Sequence, residues 1–108
     1  MNSSLQPWSI LSATINVGTL TEGWTLAKLP DHSGASRSFL FEVPFAFPFT
    51  AAPVVQLGLT GFDIDQRHTA RLCVRAIGIT TEGFRAEIIT WDDTRVYAVE
   101  CNWLAIGA

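Results

Sequence analysis

The sequence predicts an all-β fold, built from short antiparallel strands packed as a sandwich or a barrel. Apolar and polar residues alternate with a period of two in several segments, which places successive side chains on opposite faces of a sheet. Segments rich in glycine, proline, aspartate and threonine separate these runs and carry turn chemistry. Many short strands divided by turns are typical of a two-layer β architecture.

Size and composition favour a single ordered domain over residues 1–108, with 48% apolar and 16% charged residues. One hydrophobic core fits a chain of this length. The formal net charge of −3, from seven basic and ten acidic residues, argues against nucleic acid or an anionic membrane surface as partner. Because no apolar stretch reaches the roughly 20 residues of a membrane span, no membrane insertion is expected.

The first half of the chain predicts two strands among irregular segments. Residues 13–20 fit an edge strand, and residues 29–38 fit a loop. Residues 38–43 alternate, with Phe39 on the apolar parity. Three prolines then make residues 43–53 irregular, because proline cannot donate to a β-ladder.

The second half predicts four strands, near residues 54–59, 71–76, 84–89 and 97–103. Residues 64–77 lack glycine and proline and could form a helix, but after Ala70 the apolar spacing fits a strand better. A hairpin of residues 83–90 with residues 95–106 would put Trp91 and Tyr97 at one end of a sheet. Arg71 joins that end if its strand runs antiparallel to the middle strand.

Cys73 and Cys101 are too few for a disulfide scaffold, so a single bridge or two buried thiols remain, with buried thiols favoured. His32 and His68 show no ligand spacing to each other or to either cysteine. No metal and no cofactor are therefore expected.

Polar and aromatic side chains gather at the strand ends named above, where Arg71, Trp91, Asp92 and Tyr97 lie. A guanidinium offers paired donors for sugar hydroxyls, and an aromatic ring can cover the apolar face of a pyranose. Each residue also has a plainer interpretation. Trp91 could be packing, Asp92 a turn residue, Arg71 a surface charge and Tyr97 a structural corner residue. Residue pattern alone leaves both interpretations open.

A set of motifs resembles the H-type lectin domain family, most clearly over residues 23–107. The resemblance is carried by Gly23-Trp24, Lys28-Leu29-Pro30, Phe45-Ala46-Phe47-Pro48-Phe49, Pro53-Val54-Val55, Asp63, Arg71, Gly83-Phe84, Thr90-Trp91, Thr94, Tyr97 and Trp103-Leu104-Ala105-Ile106-Gly107. It implies an antiparallel β-sandwich of about six strands, assembled as a homotrimer. It also implies metal-free binding of galactose-type sugars, especially N-acetylgalactosamine, between neighbouring subunits.

The resemblance assigns roles to individual residues. The sugar-contacting arginine, tryptophan and tyrosine of the family fall on Arg71, Trp91 and Tyr97. Asp92 follows the tryptophan at a position near the acetamido group. The family's acidic ligand sits in a loop that is shorter in this chain, over residues 30–37, and Asp31 is the acid left there as a candidate acceptor.

The function expected from the resemblance is that of a lectin for glycans ending in galactose or N-acetylgalactosamine, multivalent as a trimer or hexamer. The alternative is a trimeric structural or attachment module, of the fibre-tip type, with a weak or vestigial sugar site. An enzyme is not expected, because Asp92 and Asp93 are adjacent at a tight corner and point in different directions. Residues 1–6 carry no basic signal-peptide region, which leaves open a cytosolic location, secretion or display at the cell surface by another route, or a sequence that is already mature.

Overall fold

Six antiparallel β-strands make up the fold in a computed structural model that describes residues 8–29, 34–65 and 69–108. The strands are β1 (Ser9–Gly18), β2 (Ser36–Pro44), β3 (Val54–Asp65), β4 (Cys73–Ile77), β5 (Gly83–Trp91) and β6 (Arg95–Gly107). The number of strands and the all-β class agree with the prediction. No helix in the described ranges is long and apolar enough to cross a membrane.

The strands form two three-stranded sheets, with orders β1-β6-β3 and β2-β5-β4. The two strands that follow each other most closely, β5 and β6, therefore lie at the centres of different sheets. They do not form the hairpin that would put Trp91 and Tyr97 at one end of a sheet, because the connection from Asp92 to Thr94 carries the chain from one sheet to the other. Alternation fixes which face a strand buries but does not fix which strand lies beside it. The antiparallel pairing of β4 with β5 is as predicted.

Aromatic side chains fill the space between the two sheets. The ring of Trp103 lies 5.4 Å from that of Phe84 and 5.7 Å from that of Phe45, centroid to centroid. Phe49 meets Phe45 edge to face at 5.2 Å. Phe45, Phe49 and Trp103 are thus core residues. Phe47 is 66% exposed, because it lies in the proline-bounded connection outside the alternation of a strand.

A register irregularity in the first sheet alters the face that Tyr97 presents. The pairing of β3 with β6 shifts between Asp63 and Ile64, so that Asp63 is opposite Ala98 and Ile64 opposite Val96. Tyr97 has no partner in β3 and is only half-buried, while Val96 is fully buried. A bulge of this kind redirects a side chain relative to strict alternation.

Apolar side chains cover part of the outer face of the β1-β6-β3 sheet. Ile106, 36% exposed, is opposite Ile10 in β1 and Val54 in β3, which are 65% and 72% exposed. Leu104, two residues earlier in β6, adds a fourth exposed side chain. We call these four residues the apolar patch. A contiguous exposed patch of this type is typical of an interaction surface.

The two cysteines are both free, and only one of them is buried. Cys101 faces the core and is 1% exposed, whereas Cys73 lies on the outer parity of β4 and is exposed. The single bridge is therefore excluded, and the expectation of two buried thiols is wrong for Cys73. Arg71 and Arg75 share the outward parity of Cys73, in keeping with the alternation of this segment.

This difference predicts two separate reaction phases with a thiol reagent. Cys73 should react rapidly in the native protein, and Cys101 should react only in denaturant, because burial raises the pKa of the Cys101 thiol and blocks access. The measurement is the number of thiols modified over time, with and without denaturant. Cys73→Ser should remove the fast phase, and equal native rates for both thiols would contradict the placement.

Candidate functional site

The corner between β5 and β6 brings one guanidinium to two carboxylates. Arg71 Nη2 lies 3.4 Å from Asp92 Oδ2, and Arg71 Nη1 lies 3.3 Å from Asp93 Oδ1. The side chains of Arg71, Asp92 and Asp93 are 22%, 39% and 32% exposed. All three are therefore held together while still reachable from solvent. We call Arg71, Trp91, Asp92 and Asp93 the corner site.

Two fully buried threonines fix the backbone of Arg71 beneath this cluster. The Thr90 hydroxyl donates to the Arg71 carbonyl at 2.5 Å, and the Arg71 amide donates to Thr94 Oγ1 at 3.2 Å. Thr94 Oγ1 also donates to the Thr69 carbonyl at 3.3 Å. The segment before β4 is thereby tied to the β5–β6 corner, which sets the position of the guanidinium.

Trp91 and Asp92 occupy the exposed edge of the corner. Trp91 ends β5, is paired with Ser36 of β2, and is 37% exposed. Asp92 has a φ of +59°, in the left-handed region that aspartate tolerates better than most residues. Its amide donates to the Ala35 carbonyl at 3.3 Å. An indole beside a carboxylate pair on a turn is a geometry that could cover a sugar ring and bind its hydroxyls.

Arg37 supports the corner from the inner side and was missed by sequence reasoning. Its guanidinium donates to the Thr94 carbonyl at 2.6 Å, to the Asp92 carbonyl at 3.3 Å and to the Lys28 carbonyl. Burial lowers the pKa of Arg37 from its usual value. The signal in the sequence was an arginine on the same parity as Phe39, where the alternation calls for an apolar residue.

We expect Arg37→Ala to lower the free energy of unfolding by about 2–3 kcal/mol, because carbonyls at a tight turn lose charged hydrogen-bond donors. Arg37→Lys should recover little of this, since lysine lacks the planar fork. Urea unfolding at fixed protein concentration measures the change. The control is Arg85→Ala, which removes an exposed ion pair with Glu42 and should change stability little. An Arg37→Ala protein as stable as the native one would contradict the bracing role.

Tyr97 belongs to a different surface from the rest of the predicted site. It lines a groove of about 430 Å³ on the other sheet, with Leu20, Phe62 and Asp63 among its neighbours. Neither Arg71 nor any residue of the 91–93 segment lines that groove. Within one protomer the structure thus joins Arg71 with Asp92 at the Trp91 corner and places Tyr97 apart from them.

One predicted site residue, Asp31, lies outside the described residues. Arg75 and Glu87 are paired at 2.6 Å, and Arg85 lies 3.8 Å from Glu42, so these strand charges have partners within the protomer. Over residues 8–29, 34–65 and 69–108, no group of three or more histidine, cysteine or acidic side chains is arranged to hold a metal ion.

Comparisons with known proteins agree with this architecture. The H-type lectin domain is matched by residues 40–106. The chain is 40% identical over 72 residues to "ATP synthase subunits region ORF 7" of Fuscovulum blasticum, covering 67% of this chain and 63% of that protein. It is 31% identical over 70 residues to one of the discoidin-1 chains of Dictyostelium discoideum, covering 64% of this chain and 28% of that protein. The chain therefore spans less than two thirds of the length of these relatives.

A solved structure of discoidin II from Dictyostelium discoideum superposes with a TM-score of 0.77 at 24% identity, over 98% of this chain and 39% of that one. The fold is thus that of the discoidin-like lectins. The family match over residues 40–106 covers more than half of the chain and names one family among these lectins. The chain belongs to the H-type lectin domain family.

Proposed function

We propose that this protein is a lectin that binds galactose-type sugars, N-acetylgalactosamine among them, without catalysis and without a metal. The observation that carries the proposal is the corner site, where buried threonines fix the backbone of Arg71 and the exposed Trp91 ends strand β5. Arginine donors and carboxylate acceptors suit the hydroxyl pairs of a sugar. The indole suits its apolar face.

The sugar site is proposed to be completed across a contact between protomers. In one protomer Tyr97 lies on the groove of the β1-β6-β3 sheet, while Arg71 lies at the end of the β2-β5-β4 sheet. A neighbouring copy could present its Tyr97 groove to the corner site of the first. This explains why the family's three sugar-contacting positions need not meet within a single chain.

The apolar patch supports the proposed assembly as a homotrimer. Four aliphatic side chains stand exposed on one sheet face, and the row from Val54 through Ile106 to Ile10 carries no charge. Covering such a face by a second copy removes apolar surface from water. Single sugar sites are weak, so several sites on one assembly would supply useful avidity.

The test is a glycan array on the purified protein, read beside its mass in solution. Binding to glycans with terminal galactose or N-acetylgalactosamine by a protein of three times the chain mass is expected. A trimer that binds no glycan would favour the alternative, a structural or attachment module with a vestigial site. The observation that favours this alternative is that Arg71 is already paired with Asp92 and Asp93, which compete with a sugar for the guanidinium.

A further inference from the structure

We propose that Asp92 makes the corner site select sugars by charge, accepting neutral and amino sugars and rejecting sugars that carry a carboxylate or a sulfate. This inference rests on the proposed function and goes further, because it assigns a specificity-determining role to one residue. It starts from the state of the Arg71 guanidinium, whose charge is already paired with two carboxylates.

The positive charge of Arg71 already faces two carboxylates, while some of its N–H donors remain available for sugar hydroxyls. Nη1 donates to the Thr69 carbonyl at 3.0 Å and lies 3.3 Å from Asp93 Oδ1. Nη2 lies 3.4 Å from Asp92 Oδ2. An arginine alone at a strand end would favour acidic sugars through bidentate pairing. Two carboxylates outnumber this guanidinium at the surface and reverse that preference.

The carboxylates keep acceptor capacity for a ligand. Among the described residues, Asp92 Oδ2 and Asp93 Oδ1 are the oxygens that face the guanidinium, which leaves Asp92 Oδ1 and Asp93 Oδ2 for a ligand. Ionised carboxylates only accept hydrogen bonds. They therefore suit hydroxyl or ammonium donors and oppose another carboxylate. Asp92 is the more exposed of the two and follows Trp91 directly.

The other charges near the corner do not cancel this effect at the ligand surface. Arg37 is the second cation close by, but its fork faces inward to the carbonyls of Asp92, Thr94 and Lys28. Arg95, at the start of β6, belongs to the other sheet and is opposite Asp65 of β3 in the register. The outer surface of the corner site thus presents one guanidinium against two carboxylates.

The experiment measures the affinities of galactosamine, galactose and galacturonic acid for the full chain in its native assembly. At about pH 6 the sugar amine is protonated, since amino groups of this type titrate near about 8. Galactosamine should bind about two- to fivefold more tightly than galactose, and galacturonic acid about two- to fivefold more weakly, the range for partly exposed charge pairs. About 0.5 M salt should reduce both differences in affinity, since salt screens charges at a solvent-accessible site.

The variants separate a local effect of Asp92 from a general one. Asp92→Asn removes the charge and keeps a side chain that tolerates the positive φ, so it should fold normally and bring the three sugars closer in affinity. Glu42→Gln, which removes a carboxylate from the Arg85 pair elsewhere on the β2-β5-β4 sheet, is the matched control and should leave the order unchanged.

Each outcome bears on one claim. If the native protein binds all three sugars equally, or if Glu42→Gln shifts the order as much as Asp92→Asn, selection by Asp92 is overturned while sugar binding stands. If none of the three sugars binds and the glycan array is also silent, the proposed function and this inference fall together.

Discussion

Replacing Arg71 by alanine should abolish measurable glycan binding while leaving the fold and the assembly intact. The change removes the guanidinium of the corner site and leaves Asp92 and Asp93 without the cation that pairs with both. Hydrogen bonds from a charged group contribute about 1.5–3 kcal/mol, so affinity should fall by about 10- to 100-fold. A site that starts weak would drop below detection. Titration with a galactose-type sugar gives the measurement.

Two further variants define what Arg71 contributes. Arg71→Lys keeps the charge but loses the planar fork, so it should recover only part of the affinity. Trp91→Ala removes the exposed indole and should also abolish binding, since the apolar face of the sugar loses its cover. Native affinity in both Arg71→Ala and Trp91→Ala would show that sugar binds elsewhere or not at all.

Ile106→Asp should dissociate the assembly into protomers and lower binding to a multivalent glycan surface by about 100-fold or more. Ile106 lies between Ile10 and Val54 at the centre of the apolar patch. A carboxylate there would be buried without a partner in any assembly that covers the patch. Mass in solution measures the dissociation, and binding of a single free sugar reports whether the proposed contact completes the site.

The chain offers a closely matched control in Ile79. This isoleucine is 36% exposed, as Ile106 is, but it lies in the connection from β4 to β5 in the other sheet. Ile79→Asp should leave the mass in solution unchanged. If Ile106→Asp also leaves it unchanged, the apolar patch is not the contact between protomers, and the composite sugar site loses its support.

Alternation predicted the faces of the strands because each strand has one side on the core. Phe39 in β2 and Trp103 in β6 lie on the inner side as expected, since burying a large apolar face dominates the choice. The neighbours of each strand could not be predicted in the same way. The inner faces of β5 and β6 look alike in sequence, and nothing local shows that the Asp92–Thr94 connection crosses between sheets.

The candidate site, too, was predicted only in part from the sequence. The proximity of Arg71 to the Trp91 corner followed from antiparallel pairing of two adjacent strands, and the structure has that pairing. Tyr97 was placed at the same end by the hairpin that does not form, and its role across a contact between protomers stays a prediction. The role of Arg37 was not predicted, because Arg37 binds backbone carbonyls of segments that are distant in sequence and meet only in the folded chain.

The sheet order has a consequence for how the protein is made. β6, the last 13-residue strand, lies in the middle of the β1-β6-β3 sheet, and Ser9 is opposite Gly107. A chain emerging from the ribosome therefore has no strand to place between β1 and β3 until β6 has been made. Pairing of strands that are far apart in the sequence slows folding, and the unpaired strand edges are prone to aggregation until the pairing forms. Formation of the β1-β6-β3 sheet therefore waits for the synthesis of β6.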